Sequence, residues 1–158
     1  MIKHIPLIFI ALSFLLALLV YPILPATLAT HWGIYGEVNG YSSKNFGLFF
    51  LPILLTGLYF IFLILPKTDP YKHNFIQFKK YYDNFVNLIF LFLFYIYCLT
   101  LVWNLGYHFS LIQFMLPALS LLFYYAGVLN QQAKRNWFVG VRTPWTLSSE
   151  SVWNQTHL

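Results

Sequence analysis

Four stretches of the chain, residues 5–24, 46–65, 85–103 and 111–130, are apolar on every side and contain no Asp, Glu, Lys or Arg. As helices rising about 1.5 Å per residue, each is long enough to cross a hydrocarbon core about 30 Å thick. Barrel strands would instead be short and would alternate apolar with polar residues. The pattern therefore predicts an all-α integral membrane protein with four transmembrane helices. A short link, Asn104 to Ser110, makes the third and fourth helices antiparallel neighbours. The longer segment 25–45 separates the first two.

The first run begins beside Lys3 and His4 and resembles a signal peptide, with Ala26-Thr27-Leu28-Ala29 as a weak cleavage-like pattern. Between Leu7 and Leu24, however, 13 residues are Leu, Ile, Phe or Val. Their insertion free energies sum to roughly −4 to −8 kcal/mol as an upper bound, which favours a retained helix.

Lys and Arg set the orientation. Lys3 precedes the first run, Lys67, Lys72, Lys79 and Lys80 lie between the second and third, and Lys134, Arg135 and Arg142 follow the fourth. An even number of spans puts these on one side and leaves Lys44 on the other. The positive-inside rule then places both termini and the Lys67–Asp83 loop in the cytoplasm. The expected location is a membrane crossed several times, with this basic side in the cytoplasm.

Composition strengthens the lipid reading. Hydrophobic residues are 59% and charged residues 8% of the 158, far from the ~25% charged of soluble domains. The net charge of +5 follows the apolar runs and forms no long basic face, so direct nucleic-acid binding is not expected. Cys98, alone in the chain, excludes an internal disulfide. Pro22 and Pro25 should end the first helix. Pro52 and Pro117 fall inside the second and fourth runs, where neighbours must satisfy the carbonyls they free.

Two segments outside the runs carry the specific information. In the outer one, Gly33, Gly36 and Gly40 permit turns, Asn39-Gly40 is a hairpin-turn signal, and Trp32, Tyr35 and Tyr41 suit the headgroup region. A compact, structured loop is expected between helices 1 and 2. In the second, following helix 4, Ser148 is a candidate helix cap with Glu150 in the first turn, and Trp153 and His157 share a face at i, i+4. Arg142 could bind lipid phosphate, cap helix carbonyls or pair with Glu150. Trp145 and Trp153 read as interface anchors on a membrane-surface helix.

Catalysis and metal binding find little support. His31, His108 and Glu37 lack ligand spacing. Ser148, Ser149 and His157 come without a G-x-S-x-G turn. A transporter would want ionisable groups in its spans, and there are none. No enzyme activity, cofactor or metal is expected.

The stretch Asn136 to His157, N-W-F-V-G-V-R-T-P-W-T-L-S-S-E-S-V-W-N-Q-T-H, resembles the signature of the SdpI family of bacterial immunity proteins. Residues Pro25 to Lys44, P-x-x-x-x-T-H-W-x-x-x-G-x-x-x-G-Y-x-S-K, resemble the small domain of unknown function that commonly precedes it. The resemblance implies a membrane protein that protects its cell from a secreted peptide or protein toxin. It also implies signalling to a cytoplasmic partner, a small transcriptional repressor. The sensing side would include His31, Trp32, Gly36, Gly40, Tyr41 and Lys44, and the cytoplasmic side Arg142, Thr143, Pro144, Trp145, Ser149, Glu150 and Trp153. Three units follow: 1–66 with the outer loop 25–45, 67–130 with a cytoplasmic loop and helices 3 and 4, and the signature tail 131–158. Family chains continue into further transmembrane helices, so this one is expected to lack the last of them. Asn39 stands where the family pattern has Asp. The rival reading is a structural or transport subunit whose missing helices come from another chain or a second copy.

Overall fold

A computed structural model describes residues 4–157; Lys3, used above for orientation, lies outside them. The elements run α1 (Ile5–Val20), β1 (Thr27–Trp32), β2 (Val38–Ser43), α2 (Lys44–Thr68), α3 (Lys72–Asn104), α4 (Leu111–Gln132), α5 (Pro144–Ser148) and α6 (Glu150–Thr156). Three of them, α2, α3 and α4, are long and apolar enough to cross a membrane. The apolar α1 has 16 residues, about 24 Å of helix. It stops short of residue 24 because Pro22 has no amide to continue the ladder. The chain leaves it through a turn in which the amides of Ile23 and Leu24 both reach the Val20 carbonyl.

The loop expected over Lys67–Asp83 is mostly helix. α2 runs to Thr68, and Asp69 to Tyr71 link it to α3. The early turns of α3 are amphipathic: Phe75, Phe78, Tyr82, Val86 and Phe90 recur at three- and four-residue spacing and are all buried. Lys72, Lys79 and Lys80 stay exposed. Lys79 pairs with Asp83 one turn on. At 33 residues, α3 is a rod of about 50 Å, longer than the bilayer core is thick.

α1, α2 and α3 pack against one another, and α4 lies along α3. The apolar window of α4 is 6% buried, so most of its surface faces outward. One buried cluster, containing Ala17, Leu28, Leu48 and Leu101, sits near the hairpin. The other, containing Phe75, Phe78, Leu129 and Trp153, sits at the opposite end, where Lys67, Lys72, Lys79, Lys80, Lys134, Arg135 and Arg142 also gather.

Two of the prolines inside the helices, Pro52 and Pro66, have the carbonyls they free answered by tyrosines. Pro52 cannot donate to the carbonyl of Leu48, and the buried Tyr97 hydroxyl donates to it instead at 2.9 Å. Pro66 likewise frees the carbonyl of Phe62, which the Tyr82 hydroxyl meets at 3.0 Å. Near Pro117 in α4, the Tyr95 hydroxyl donates to the Phe114 carbonyl at 3.2 Å. Such pairings remove a penalty that is severe where no water can substitute.

The all-α expectation needs one amendment, because the structured loop is an antiparallel β-hairpin. Thr27 pairs with Ser43, Ala29 with Tyr41, and Trp32 with Val38, with irregular register around His31. Its turn is not at Asn39-Gly40, which lies inside β2. The chain reverses earlier, where the Gly33 amide reaches the Glu37 carbonyl at 2.8 Å and Gly36 takes φ +86°. That left-handed backbone is open to glycine at little cost, which decides the position of the turn.

Candidate functional site

The sequence-predicted residues fall at the two ends of the bundle. At the hairpin end, Leu28 and Ala29 are buried beneath the strands. The Asn104 side chain, from the last residue of α3, accepts from the Ala29 amide at 2.8 Å and donates to the Ala29 carbonyl at 3.0 Å. Asn104 thus imitates a neighbouring strand and fixes the hairpin to α3. Trp32 meets Trp103 edge to face, with ring centroids 5.7 Å apart. The Trp32 indole N–H is buried and lacks a hydrogen-bond partner among the described residues.

Lys44 opens α2 and sends its ammonium to the carbonyl of Tyr21 at 3.1 Å, over the Tyr21 ring. It therefore ties the exit of α1 to the entry of α2. His31 and Asn39 contact each other through their side chains, and Gly40 pairs with His31 across the hairpin. Tyr41, Ile34 and Tyr35 are exposed, Tyr35 to 88%. The hairpin thus presents His31, Tyr35 and Tyr41 on a rigid support. His108 packs on Trp103 instead of joining His31, and among the described residues no three His, Cys, Asp or Glu side chains gather as a metal site would require.

At the basic end, the segment after α4 folds back as a docked unit. Trp153, expected as an interface anchor, is fully buried, and its indole N–H donates to the Ala133 carbonyl at 2.8 Å. The amphipathic turn of α6 aims Trp153 into the cluster formed by α2, α3 and α4 and away from the membrane interface. His157 stacks on Trp153 at 4.1 Å. Its Nε2 accepts the Val141 amide at 2.8 Å while Nδ1 lies 2.8 Å from the Trp153 carbonyl. Accepting at Nε2 assigns the proton to Nδ1.

Thr143 caps α5 in a reciprocal box with Thr146, and Pro144 occupies its first turn. Ser149, rather than Ser148, caps α6, accepting from the Val152 amide, with Glu150 in the first turn. Arg142 donates to the Trp137 carbonyl at 2.8 Å; among the described residues it makes no ion pair with Glu150. Most of the motif therefore holds its own fold. Arg142 and Trp145 remain on the surface, Trp145 to 71%.

Three polar residues complete this docking and escaped the sequence reading. Asp69, fully buried, accepts from the amides of Tyr71 at 2.7 Å and Trp137 at 3.0 Å. The buried Asn136 closes its own loop, accepting from Phe138 and Val139 and donating to the carbonyls of Lys134 and Val139. Asn74 donates to the Arg135 carbonyl at 2.9 Å. The Asp69-Pro70 pair was a legible turn signal, but nothing local pointed from it to Trp137.

Residues 8–56 match the Domain of unknown function (DUF1648), and residues 132–158 match the SdpI/YfhL protein family. Over 149 residues the chain is 27% identical to the Immunity protein SdpI of Bacillus subtilis (strain 168), covering 94% of this chain and 69% of that protein. No solved structure matches. The family regions include the hairpin at one end and the docked segment at the other.

Proposed function

We propose that this chain is an SdpI-family protein that protects a bacterium against a secreted peptide or protein toxin, acting by binding and not by catalysis. The observation that carries this reading is the similarity to a protein named for immunity along 94% of the chain. In this reading α1 is a fourth span, and the basic end faces the cytoplasm of the inner membrane. Seven Lys and Arg at that end against Lys44 at the other support the orientation. Toxin meets the hairpin outside, through His31, Trp32 and Tyr41. Arg142 and Trp145 offer a cytoplasmic surface to a protein partner such as a repressor.

α3 supplies the physical link. Asn104 grips the hairpin at one end of it, and Asn74 grips the docked segment near the other. A load on the hairpin shifts one rigid rod and changes how the segment seats on it. A differential contact of this kind is what coupling between two sites requires. The rival reading as a subunit of a larger assembly draws on the outward face of α4, which leaves room for a helix of another chain.

Expression in a toxin-sensitive bacterium, followed by challenge with toxin-producing neighbours, tests the proposal. Survival should rise above that of cells carrying empty vector. Equal killing, with the protein present in the membrane fraction, would rule out autonomous immunity.

A further inference from the structure

A cavity of about 360 Å³ opens at the basic end, bounded by the start of α1, the end of α2 and the early turns of α3. Its size is within the range of sites that hold small ligands, about 300–1,000 Å³. Tyr59, Phe62, Leu63 and Val86 are among its lining residues, while Lys67, Lys79 and Asp83 are its charged groups among the described residues. The apolar lining is held in place, because the Tyr82 hydroxyl braces the Phe62 carbonyl that Pro66 frees.

Charge and shape together select the occupant. Asp83 is engaged by Lys79, so with Lys67 the site carries more positive than negative charge. An apolar interior with excess positive charge suits a molecule with a hydrocarbon chain and an anionic head. A membrane protein meets that chemistry in the acidic phospholipids of the leaflet beside its basic end.

We propose that the cavity binds one anionic phospholipid, with an acyl chain among Tyr59, Phe62, Leu63 and Val86 and its phosphate on Lys67. The bound lipid touches α1, α2 and α3 at once and fastens the start of the short α1 to its neighbours. The inference rests on the membrane orientation proposed above but not on toxin protection.

Native mass spectrometry of the purified full chain in mild detergent, with equal phosphatidylglycerol and phosphatidylcholine added, tests this. The wild type should retain one phosphatidylglycerol in preference to phosphatidylcholine by about fivefold, the scale of one lysine acting on an anionic surface. Lys67→Glu, at an exposed position, should bring the two lipids to parity without disturbing the fold. Leu63→Trp, which fills the cavity, should remove the tightly held lipid. Equal retention of both lipids by the wild type would overturn the proposal, as would an unchanged preference in Lys67→Glu. Retention unaffected in a folded Leu63→Trp protein would overturn it too, since the lipid would then sit elsewhere. Any of these three failures in a correctly inserted protein leaves the immunity reading standing.

Discussion

Replacing Tyr97 by Phe removes one oxygen from the interior and little else. That oxygen donates to the Leu48 carbonyl at 2.9 Å, the carbonyl that Pro52 leaves without its helical amide. The loss therefore exposes a defect already present in α2. An unsatisfied buried acceptor costs roughly 1–3 kcal/mol in water-soluble proteins. Hydrogen bonds between membrane helices average nearer 0.6 kcal/mol, with a maximum of about 1.7. The Leu48 acceptor has no backbone alternative, so the expected cost lies toward the upper membrane value, about 1.5 kcal/mol.

A double-mutant cycle isolates the pairing of the Tyr97 hydroxyl with the carbonyl that Pro52 frees. Pro52→Ala restores an amide that can reach Leu48, so Tyr97→Phe in that background should cost only a few tenths of a kcal/mol, leaving a coupling of about 1 kcal/mol. Unfolding of the four proteins in detergent micelles, followed by circular dichroism with increasing dodecyl sulfate, measures it. Equal cost of Tyr97→Phe in both backgrounds would show that the hydroxyl is not compensating for the proline. Tyr82 and Pro66 repeat the geometry and should repeat the result.

Asn104→Ala should release the hairpin from α3 while leaving the helices intact. With two hydrogen bonds to Ala29 lost, at about 1 kcal/mol each, the Ala29 amide should exchange with deuterium some tenfold or more faster; unchanged exchange would refute the docking role. Gly140→Ala should destabilise the docked segment by at least about 1 kcal/mol, because φ is +103° there and the new methyl would lie 2.5 Å from His157 Nε2. Limited proteolysis after residue 132 reports it, and a protease resistance equal to wild type would contradict the geometry.

The apolar runs were legible because a lipid-exposed helix must be apolar all round, whatever it packs against. Boundaries depended on more. Pro22 shortened the first helix, and the amphipathic turns from Lys72 to Asp83 disguised the start of α3 as a charged loop. The hairpin was visible as a structured glycine-bearing segment, yet Asn39-Gly40 outranked Gly36 on local preference, while the chain reverses at Gly36, where φ is +86°. The docked segment was misread most. Trp153 looked like an interface anchor because tryptophan is common there; its burial depends on Ala133, Phe75 and Phe78, distant in sequence. Pro52 announced a freed carbonyl, and only the fold could name Tyr97 as the group that answers it.

Trp153 holds the signature segment to the bundle, and Trp145 stands exposed on it, where the proposed cytoplasmic partner would bind. Survival under toxin challenge, measured for Trp145→Ala alongside its stability in detergent, tests this division of roles most directly. Trp145 is 71% exposed, so its loss should change stability by no more than about 0.5 kcal/mol. Trp145→Ala should insert and resist unfolding like wild type but lose protection. Full protection by Trp145→Ala would contradict the partner-binding role, and would leave the signature with a folding role alone.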